Sequence, residues 1–281
     1  MKKYVLILLI GGMCCMLLSC STKDLRKATW LWDATLLQDA EDIVSFLTTH
    51  RFNTVFVQID EHVPQAIYAE FVQHANEQHI AVYALDGSPD WVTDDKLFHD
   101  YFQWLRDYTK HYAHAPFQGI HLDVEPYLHP NWHDDTALVV EQFQAMIVQA
   151  QQQAAALNLP IEADLPFWFD EVAYSNAFGE GNVAQWVIEQ LDGVTIMAYR
   201  NNADDVIDIT KHELQFAKEA KKPLTIAIET MASDEGDFVS FYGQDETYVN
   251  EQLRDISKAV RGRNFAGFAI HHYSSFKELI D

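Results

Sequence analysis

Gln118-Gly119-Ile120-His121-Leu122-Asp123-Val124-Glu125 is a stretch in which apolar and polar side chains alternate. In an extended chain, the three apolar residues that start at Ile120 fall on one face, and His121, Asp123 and Glu125 fall on the other. Charged groups are tolerated inside a protein only where they are paired or reach water. The stretch therefore predicts a strand whose apolar face is covered by helices and whose polar face points into a closed barrel.

Seven further apolar, β-rich runs occupy residues 28–33, 54–60, 80–86, 161–167, 193–199, 224–229 and 266–273. Segments with helical periodicity separate these runs, at residues 39–49, 65–78, 96–112, 136–157, 183–190, 209–220 and 246–261. Strands that alternate with helices predict parallel βαβ units. Eight such units fit an α/β fold, a single (β/α)8 TIM barrel over residues 28–281. An open doubly wound sheet is the main alternative, but no glycine-rich loop follows the first run.

Alternation in the other runs turns further polar groups toward the barrel interior. These groups are Asp60 in the second run, Asp164 in the fifth, Glu229 in the seventh, and His271 with Tyr273 in the eighth. Trp32 and Trp168 lie at or just after strand ends, where indole rings can form flat walls for sugar rings. Barrel enzymes carry their chemistry at the carboxyl ends of the strands, so we expect these residues to meet at that mouth.

Residues 118–125 resemble the catalytic strand of glycoside hydrolase family 18, whose pattern is D-G-x-D-x-D-x-E. Gly119, Asp123 and Glu125 match this pattern, while Gln118 and His121 replace two of its aspartates. A second segment, Met197-Ala198-Tyr199-Arg200, resembles the M-x-Y-D/N of that family and departs from it at Arg200.

This resemblance implies hydrolysis of a glycosidic bond next to a 2-acetamido sugar, assisted by the substrate itself. Glu125 would protonate the leaving oxygen, Asp123 would orient the acetamido group, and Tyr199 would hydrogen-bond to that group. The residues themselves support the first role, because two carboxylates about 6.6 Å apart along one strand face raise each other's proton affinity. A general acid that works near neutral pH needs such a raised pKa. The expected substrate-binding residues are His121, Asp60, Asp164, Trp168, Glu229, His271 and Trp32.

Several alternatives remain open at this point. Val124-Glu125-Pro126 and Ile228-Glu229-Thr230 resemble the two catalytic strand ends of clan A glycosidases, which would make Glu125 the acid/base and Glu229 a nucleophile in a retaining mechanism. The missing aspartates at Gln118 and His121 are also consistent with a carbohydrate-binding barrel without catalysis. A barrel with another hydrolytic specificity, such as an amidase, is a third possibility, and Asp123 and Glu125 could simply form buried ion pairs with Arg or Lys.

Composition excludes several classes of function. The chain has 281 residues with 42 Asp+Glu against 19 Lys+Arg, a formal charge of −23 that argues against nucleic acid as a partner. Its three cysteines are Cys14, Cys15 and Cys20, so a disulfide scaffold, a cysteine nucleophile and a thiolate metal site are excluded after residue 20. No cofactor is expected, and no metal, because Trp30-Leu31-Trp32 stands where metal-dependent barrel hydrolases carry H-x-H.

Residues 1–19 combine a basic start at Lys2 and Lys3 with a short apolar run, the order of a secretory signal peptide. Leu17-Leu18-Ser19-Cys20 resembles a bacterial lipobox, which implies that Cys20 is the lipid attachment site and residues 20–27 a tether. The expected location is therefore the bacterial cell envelope, lipid-anchored, and the outer membrane if the cell is Gram-negative. The expected partners are a carbohydrate substrate and, through the lipid, the membrane; a monomer is expected.

Overall fold

The computed structural model describes residues 25–280. The predicted signal peptide, the predicted lipid site at Cys20 and most of the predicted tether lie outside these residues. Eight parallel strands form a closed barrel, which confirms the predicted (β/α)8 fold. They are Arg26–Leu31 (β1), Thr54–Gln58 (β2), Ala81–Asp86 (β3), Gly119–Leu122 (β4), Ile161–Pro166 (β5), Gly193–Met197 (β8), Leu224–Glu229 (β9) and Phe265–His271 (β10). Around the barrel their order is β1-β10-β9-β8-β5-β4-β3-β2.

Helices connect the strands on the outside of the barrel. They are Ala40–Thr49 (α1), Gln65–Glu77 (α2), Asp95–His111 (α3), Thr136–Leu157 (α4), Val183–Gln190 (α5), Ala203–Ile209 (α6), Lys211–Ala220 (α7), Glu246–Ala259 (α8) and Tyr273–Ile280 (α9). The helix predicted over residues 209–220 begins two residues later, at Lys211, and α6 precedes it. Among the described helices, none combines the length and the apolar character that crossing a membrane requires.

A two-stranded antiparallel hairpin was not predicted. Ala173–Asn176 (β6) pairs with Gly179–Asn182 (β7) between β5 and α5. Every second residue of β6 is exposed and β7 lies largely in solvent, so these strands carry no apolar run that sequence patterning could detect. The hairpin adds to the rim of the mouth beside β5.

Two apolar clusters separate the inside of the barrel from its outside. The inner cluster contains Ala28, Trp30, Phe56, Tyr83, Leu85, Ala227 and Ala269, with Trp32, Ala81 and Tyr199 against it. Val55 and Val57 belong to the outer cluster beneath the helices, so the predicted alternation along β2 is confirmed. The inward position predicted for Tyr273 is wrong, because α9 begins there and packs the Tyr273 ring 5.1 Å from that of Phe46 on the outside.

A buried ion pair lies at the amino-terminal ends of the barrel strands, opposite the mouth. β1 begins at Arg26, two residues before the predicted start of the barrel, and the Arg26 guanidinium donates to both Glu162 oxygens at 2.6 and 2.8 Å. Gly119 allows the Tyr83 ring to lie against the start of β4, since a Cβ on Gly119 would come within 2.3 Å of that ring. The Arg26–Glu162 pair links β1 to β5, and the contact between Tyr83 and Gly119 links β3 to β4, so these four strands are held together at the end of the barrel opposite the mouth.

Candidate active site

Asp123 and Glu125 follow directly after β4, which ends at Leu122 rather than continuing to Glu125 as predicted. The Asp123 amide donates to the Asp86 carbonyl at 3.1 Å, so the last link to β3 is made at Asp123. Glu125 has a φ of 47°, in the left-handed region, immediately before a short 3-10 helix that starts at Pro126. Backbone strain of this kind costs about 1–3 kcal/mol and tends to collect at functional sites.

The β3 loop supports Asp123 through a glycine that the sequence analysis did not single out. A Cβ on Gly87 would lie 2.0 Å from the carbonyl oxygen of Asp123, so only glycine allows the two backbones to approach so closely. Asp86, next to it, accepts hydrogen bonds from Gln58 and from the Gly87 amide. Burial nevertheless raises the Asp86 pKa to about 6.

The Asp123 and Glu125 carboxyl groups both hold protons more tightly than free carboxyl groups do. Burial raises the Asp123 pKa well above its usual range, and the charges of Asp164 and Glu125 raise it further. Burial also raises the Glu125 pKa, against the opposing hydrogen bond from the Tyr127 phenol. Within residues 25–280, neither carboxylate forms an ion pair with Arg or Lys, so that alternative is wrong.

One oxygen of Asp123 lacks a partner. Oδ1 is buried and accepts no hydrogen bond from any described residue. Buried acceptors in native proteins are almost always satisfied, so this oxygen is a candidate acceptor for a donor that the described residues do not supply. Tyr127, which the sequence analysis missed, supplies a donor to Glu125 but not to Asp123. The position of Tyr127, two residues after Glu125, was the only signal available in the sequence.

His121 lies below this pair and is completely buried. Its ring stacks on Phe56 with centroids 3.7 Å apart, and its Nε2 is 2.9 Å from Oδ1 of Asp164. Burial alone would lower the His121 pKa, but attraction to Asp164 and Glu162 raises it to about 9, so the imidazole is charged at neutral pH. The prediction that His121 touches substrate is therefore wrong, since a side chain with no exposed surface cannot contact a sugar.

Asp164 is also enclosed, with only 1% of its side chain exposed. Its second oxygen accepts a 3.0 Å hydrogen bond from the indole of Trp30 on β1, which lies inside the barrel. The predicted direct contact of Asp164 with substrate is therefore replaced by a structural role, in which it holds His121 and acts on Asp123 through its charge. Deeper in the barrel, hydrogen bonds and positive charge from His121 and Arg26 outweigh the effect of burial and lower the pKa of Glu162 to about 2.

Glu229 and His271 form a second linked pair at the adjoining strand ends β9 and β10. Glu229 accepts from the Thr230 and Met231 amides at 2.7 and 2.8 Å and lies 2.9 Å from Nδ1 of His271. The Trp32 indole donates to the other His271 nitrogen at 3.0 Å. The structure thus brings together three of the predicted binding residues, Trp32, Glu229 and His271, as one hydrogen-bonded chain.

Tyr199 completes the inner wall after β8, with its ring 6.0 Å from that of His271. Burial and the charges of Glu229, Asp164 and Asp123 raise its pKa well above the usual range, so its phenol stays a hydrogen-bond donor. Trp168 is half-buried and lies edge-on to Tyr127, the donor to Glu125, with ring centroids 5.1 Å apart. Asp60 instead accepts from the His62 amide at 2.8 Å and shapes its own loop.

No three His, Cys, Asp or Glu side chains within the described part of the chain are arranged to hold a metal ion. The chemistry available at the mouth is that of carboxyl, phenol and imidazole groups. These groups can donate a proton, hold a polar substituent and stabilise positive charge on a sugar ring.

Comparison with solved structures finds many matches to chitinases. The C-terminal domain of a putative chitinase from Desulfitobacterium hafniense has a TM-score of 0.59 at 9% identity, over 88% of this chain and 93% of that one. A chitinase from Bacteroides thetaiotaomicron has a TM-score of 0.58 at 11% identity, over 90% and 91%. The GH18 chitinase from Cycas revoluta in complex with (GlcNAc)3 has a TM-score of 0.53 at 11% identity, over 90% and 96%.

Comparison of the sequence finds no match to this chain among protein-family models or curated proteins. The structural matches nonetheless cover nearly the whole barrel and nearly the whole of each neighbour. The chain therefore has the fold of the family 18 chitinases, a single closed (β/α)8 barrel.

Proposed function

We propose that the protein is a glycoside hydrolase that cleaves glycans containing N-acetylglucosamine, with Glu125 as the general acid. The observation that carries this proposal is the pair Asp123 and Glu125, two adjoining carboxyl groups with raised pKa values and no basic partner among the described residues. They lie at the carboxyl end of β4, where barrel enzymes carry their catalytic groups.

The reaction would proceed in two steps. Glu125 donates its proton to the glycosidic oxygen while the acetamido carbonyl oxygen of the substrate attacks the anomeric carbon, so the leaving sugar departs as an alcohol. The resulting positively charged bicyclic intermediate is then opened by water, which gives its proton back to Glu125 and restores the acid. Substrate-assisted cleavage of this kind needs one proton-transferring carboxyl group and no protein nucleophile.

Asp123 and Tyr199 would hold the acetamido group during both steps. The Asp123 carboxyl group, which is partly exposed at the mouth and has one oxygen without a partner, would accept from the acetamido N–H, and the positive intermediate would favour its charged form. The Tyr199 phenol, a permanent donor at neutral pH, would hydrogen-bond to the acetamido oxygen and hold it for attack. The Cycas revoluta chitinase, which shares this fold, was solved with (GlcNAc)3.

The test is the variant Glu125→Gln, assayed on a hexamer of N-acetylglucosamine. Loss of a general acid costs typically 10²–10⁴-fold in rate, and we expect kcat to fall by about this factor while the unfolding midpoint stays the same. Glu171→Gln is the matched control, because Glu171 is an exposed carboxylate on the loop after β5. Hydrolysis by Glu125→Gln at the wild-type rate would refute the assignment.

The two-glutamate retaining mechanism has one observation in its favour, the position of Glu229 at the end of β9. Three donors, two amides and His271, already engage the Glu229 carboxylate, which suits a group that orients its neighbours better than a nucleophile. Azide rescues a retaining enzyme that has lost its nucleophile by forming a glycosyl azide. We expect Glu229→Ala to form none, and its formation would establish the retaining mechanism.

The alternative of a carbohydrate-binding barrel without catalysis predicts a different result in the same assays. A carbohydrate-binding barrel would bind the hexamer with wild-type and Glu125→Gln chains alike and release no product from either. The substitutions at Gln118 and His121 motivate this alternative, whereas retention of Glu125 with a raised pKa favours the enzyme.

The location in the cell is a separate proposal that rests on the sequence alone. Cys20 would carry the lipid, and residues 21–24 with Leu25 would connect it to β1, so that the barrel stands at the surface of the envelope membrane as a monomer. Labelled fatty acid should enter the wild-type chain and not Cys20→Ala. Equal labelling of both chains would refute the lipid site.

A further inference from the structure

Arg200 occupies the position next to Tyr199 at which the family 18 pattern has Asp or Asn. Its guanidinium lies 4.9 Å from the centre of the Phe167 ring and 5.3 Å from that of Phe238. One of its nitrogens donates to the Tyr199 carbonyl at 2.7 Å. Three contacts from the loops after β5, β8 and β9 therefore fix the guanidinium at the rim of the mouth.

Arg200 is also the one Lys or Arg in the loops at the carboxyl ends of the eight barrel strands. These loops span residues 32–39, 59–64, 87–94, 123–135, 167–182, 198–202, 230–245 and residue 272, and six of them carry Asp or Glu. Within the described part of the chain, no carboxylate lies within ion-pair distance of Arg200. An arginine held in place and left without a counter-ion at an acidic mouth has its charge available to a ligand.

The carboxyl groups deeper in the mouth would not repel an anion as strongly as their number suggests. Asp164 is matched by charged His121, and the Glu229 carboxylate is stabilised in place by hydrogen bonds from two amides and His271. The raised proton affinity of Asp123 and Glu125 lowers the negative charge of that pair further. The positive charge of Arg200 is therefore opposed mainly by Glu229 and by exposed loop acids, and water and salt screen the fields of the exposed acids.

We propose that Arg200 binds a carboxylate on the glycan, so that the preferred substrate is an acidic rather than a neutral polymer of 2-acetamido sugars. This proposal deepens the proposed function and rests on it. A guanidinium has five N–H donors in a planar fork that matches a carboxylate with two parallel hydrogen bonds. Among residues 25–280, one of its nitrogens is engaged, by the Tyr199 carbonyl, and that contact links the carboxylate site to the residue that would hold the reacting sugar.

Two aromatic rings beside the guanidinium strengthen this assignment. Phe167 and Phe238 restrict the rotamers of a long side chain, so less entropy is lost when the carboxylate binds. Phe238 keeps 53% of its surface exposed, so part of this aromatic side chain is accessible to a sugar ring beside the charge.

The experiment compares three hexasaccharides that differ in charge alone or in one substituent. The first alternates β-1,4-linked N-acetylglucosamine with its 3-O-lactyl ether, the second is the same compound with its lactyl carboxylates converted to methyl amides, and the third is the unsubstituted N-acetylglucosamine hexamer. We expect the wild-type chain to show a kcat/KM at least tenfold higher on the first than on the second, and Arg200→Gln to reduce this ratio to about one.

Arg261→Gln is the matched control, because Arg261 is exposed near the opposite end of the barrel and its loss changes the net charge equally. This variant should keep the wild-type ratio. A wild-type ratio near one, or a ratio in Arg200→Gln equal to that of the wild type, would overturn the proposal.

Binding separates this inference from the proposed function. Titration calorimetry on Glu125→Gln and on Glu125→Gln/Arg200→Gln should show at least tenfold weaker binding of the acidic hexasaccharide to the double variant. Arg200-dependent binding without any hydrolysis by the wild type would refute the glycosidase and retain the carboxylate site. Hydrolysis of all three compounds with no dependence on Arg200 would refute the carboxylate site and retain the glycosidase.

Discussion

Nε2 of His121 lies 2.9 Å from Oδ1 of Asp164, and both side chains are buried inside the barrel beneath Asp123. The family 18 pattern has an aspartate at the position of His121, so a cation here replaces an acid. The aspartate on the neighbouring strand β5 supplies the negative charge instead. The substitution at His121 therefore leaves the charge beneath Asp123 balanced, although the two partners come from different strands.

Replacing His121 with Gln should destabilise the protein most below neutral pH. The pKa of His121 rises from 6.5 to about 9 on folding, so its contribution is complete below pH 6.5 and is lost as pH rises through 9. Removing one partner of a buried pair typically costs about 3–5 kcal/mol, and we expect a loss of this size at pH 6. Urea denaturation at pH 6 and at pH 9 measures both values.

His111→Gln controls for the loss of an imidazole, because His111 is exposed in the last turn of α3. It should lie within about 0.5 kcal/mol of the wild type at both pH values. If His121→Gln loses the same stability at both pH values, His121 is not charged in the folded protein.

Tyr127→Phe should move the basic limb of the pH profile to higher pH. The Tyr127 phenol donates to the Glu125 carboxylate and thereby lowers the pKa that burial has raised. Without this donor the pKa of Glu125 rises, and a general acid then keeps its proton to higher pH. The pH dependence of kcat/KM measures the limb. Tyr242→Phe, which removes an exposed phenol from the β9 loop, should leave the limb in place.

Much of the fold and part of the site follow from the sequence because they depend on local alternation. All eight barrel strands and the bounds of α4 and α5 were predicted, since apolar periodicity reports which side of an element is covered. Contacts between side chains of strands that are distant in sequence were not predicted. Arg26 falls within the predicted tether, because no residue near it in sequence shows that it pairs with Glu162, 136 residues away.

The same limit explains the roles that changed at the site. Alternation correctly turned His121 inward but carried no information about depth, so complete burial made it a structural group rather than a sugar contact. Gly87 gave no signal in the sequence, because glycine is required there by the backbone of Asp123, just after the neighbouring strand β4.

Gly87→Ala should impair activity more than stability. The new Cβ would stand 2.0 Å from the Asp123 carbonyl oxygen, so one of the two backbones must move. Overpacking of this kind costs about 1–3 kcal/mol of unfolding free energy, and we expect kcat/KM to fall at least tenfold because Asp123 is displaced. Gly181→Ala is the control, since its Cβ would meet the Tyr174 ring at an ordinary 3.5 Å. Wild-type kcat/KM in Gly87→Ala would show that the contact does not position Asp123.

Replacing Glu213, a buried residue on α7 outside the site, with Gln should stabilise the protein. Its carboxyl oxygens are buried without partners among the described residues, and burial, with the charge of Asp170, raises its pKa from 4.5 to about 8. The unfolded chain releases this proton at lower pH than the folded protein does. Glu213 therefore destabilises the fold increasingly from pH 4.5 to pH 8, and Glu213→Gln, which stays neutral, should lose this dependence.

The gain should be about 2 kcal/mol or more at pH 8 relative to pH 5, measured by urea denaturation at both pH values. Glu219→Gln, an exposed change on the same helix, should show no such gain. The effect is distinct from that of His121, because His121→Gln lowers stability most at low pH while Glu213→Gln raises it most at high pH. A pH dependence in Glu213→Gln parallel to that of the wild type would mean that Glu213 is ionised inside the folded protein.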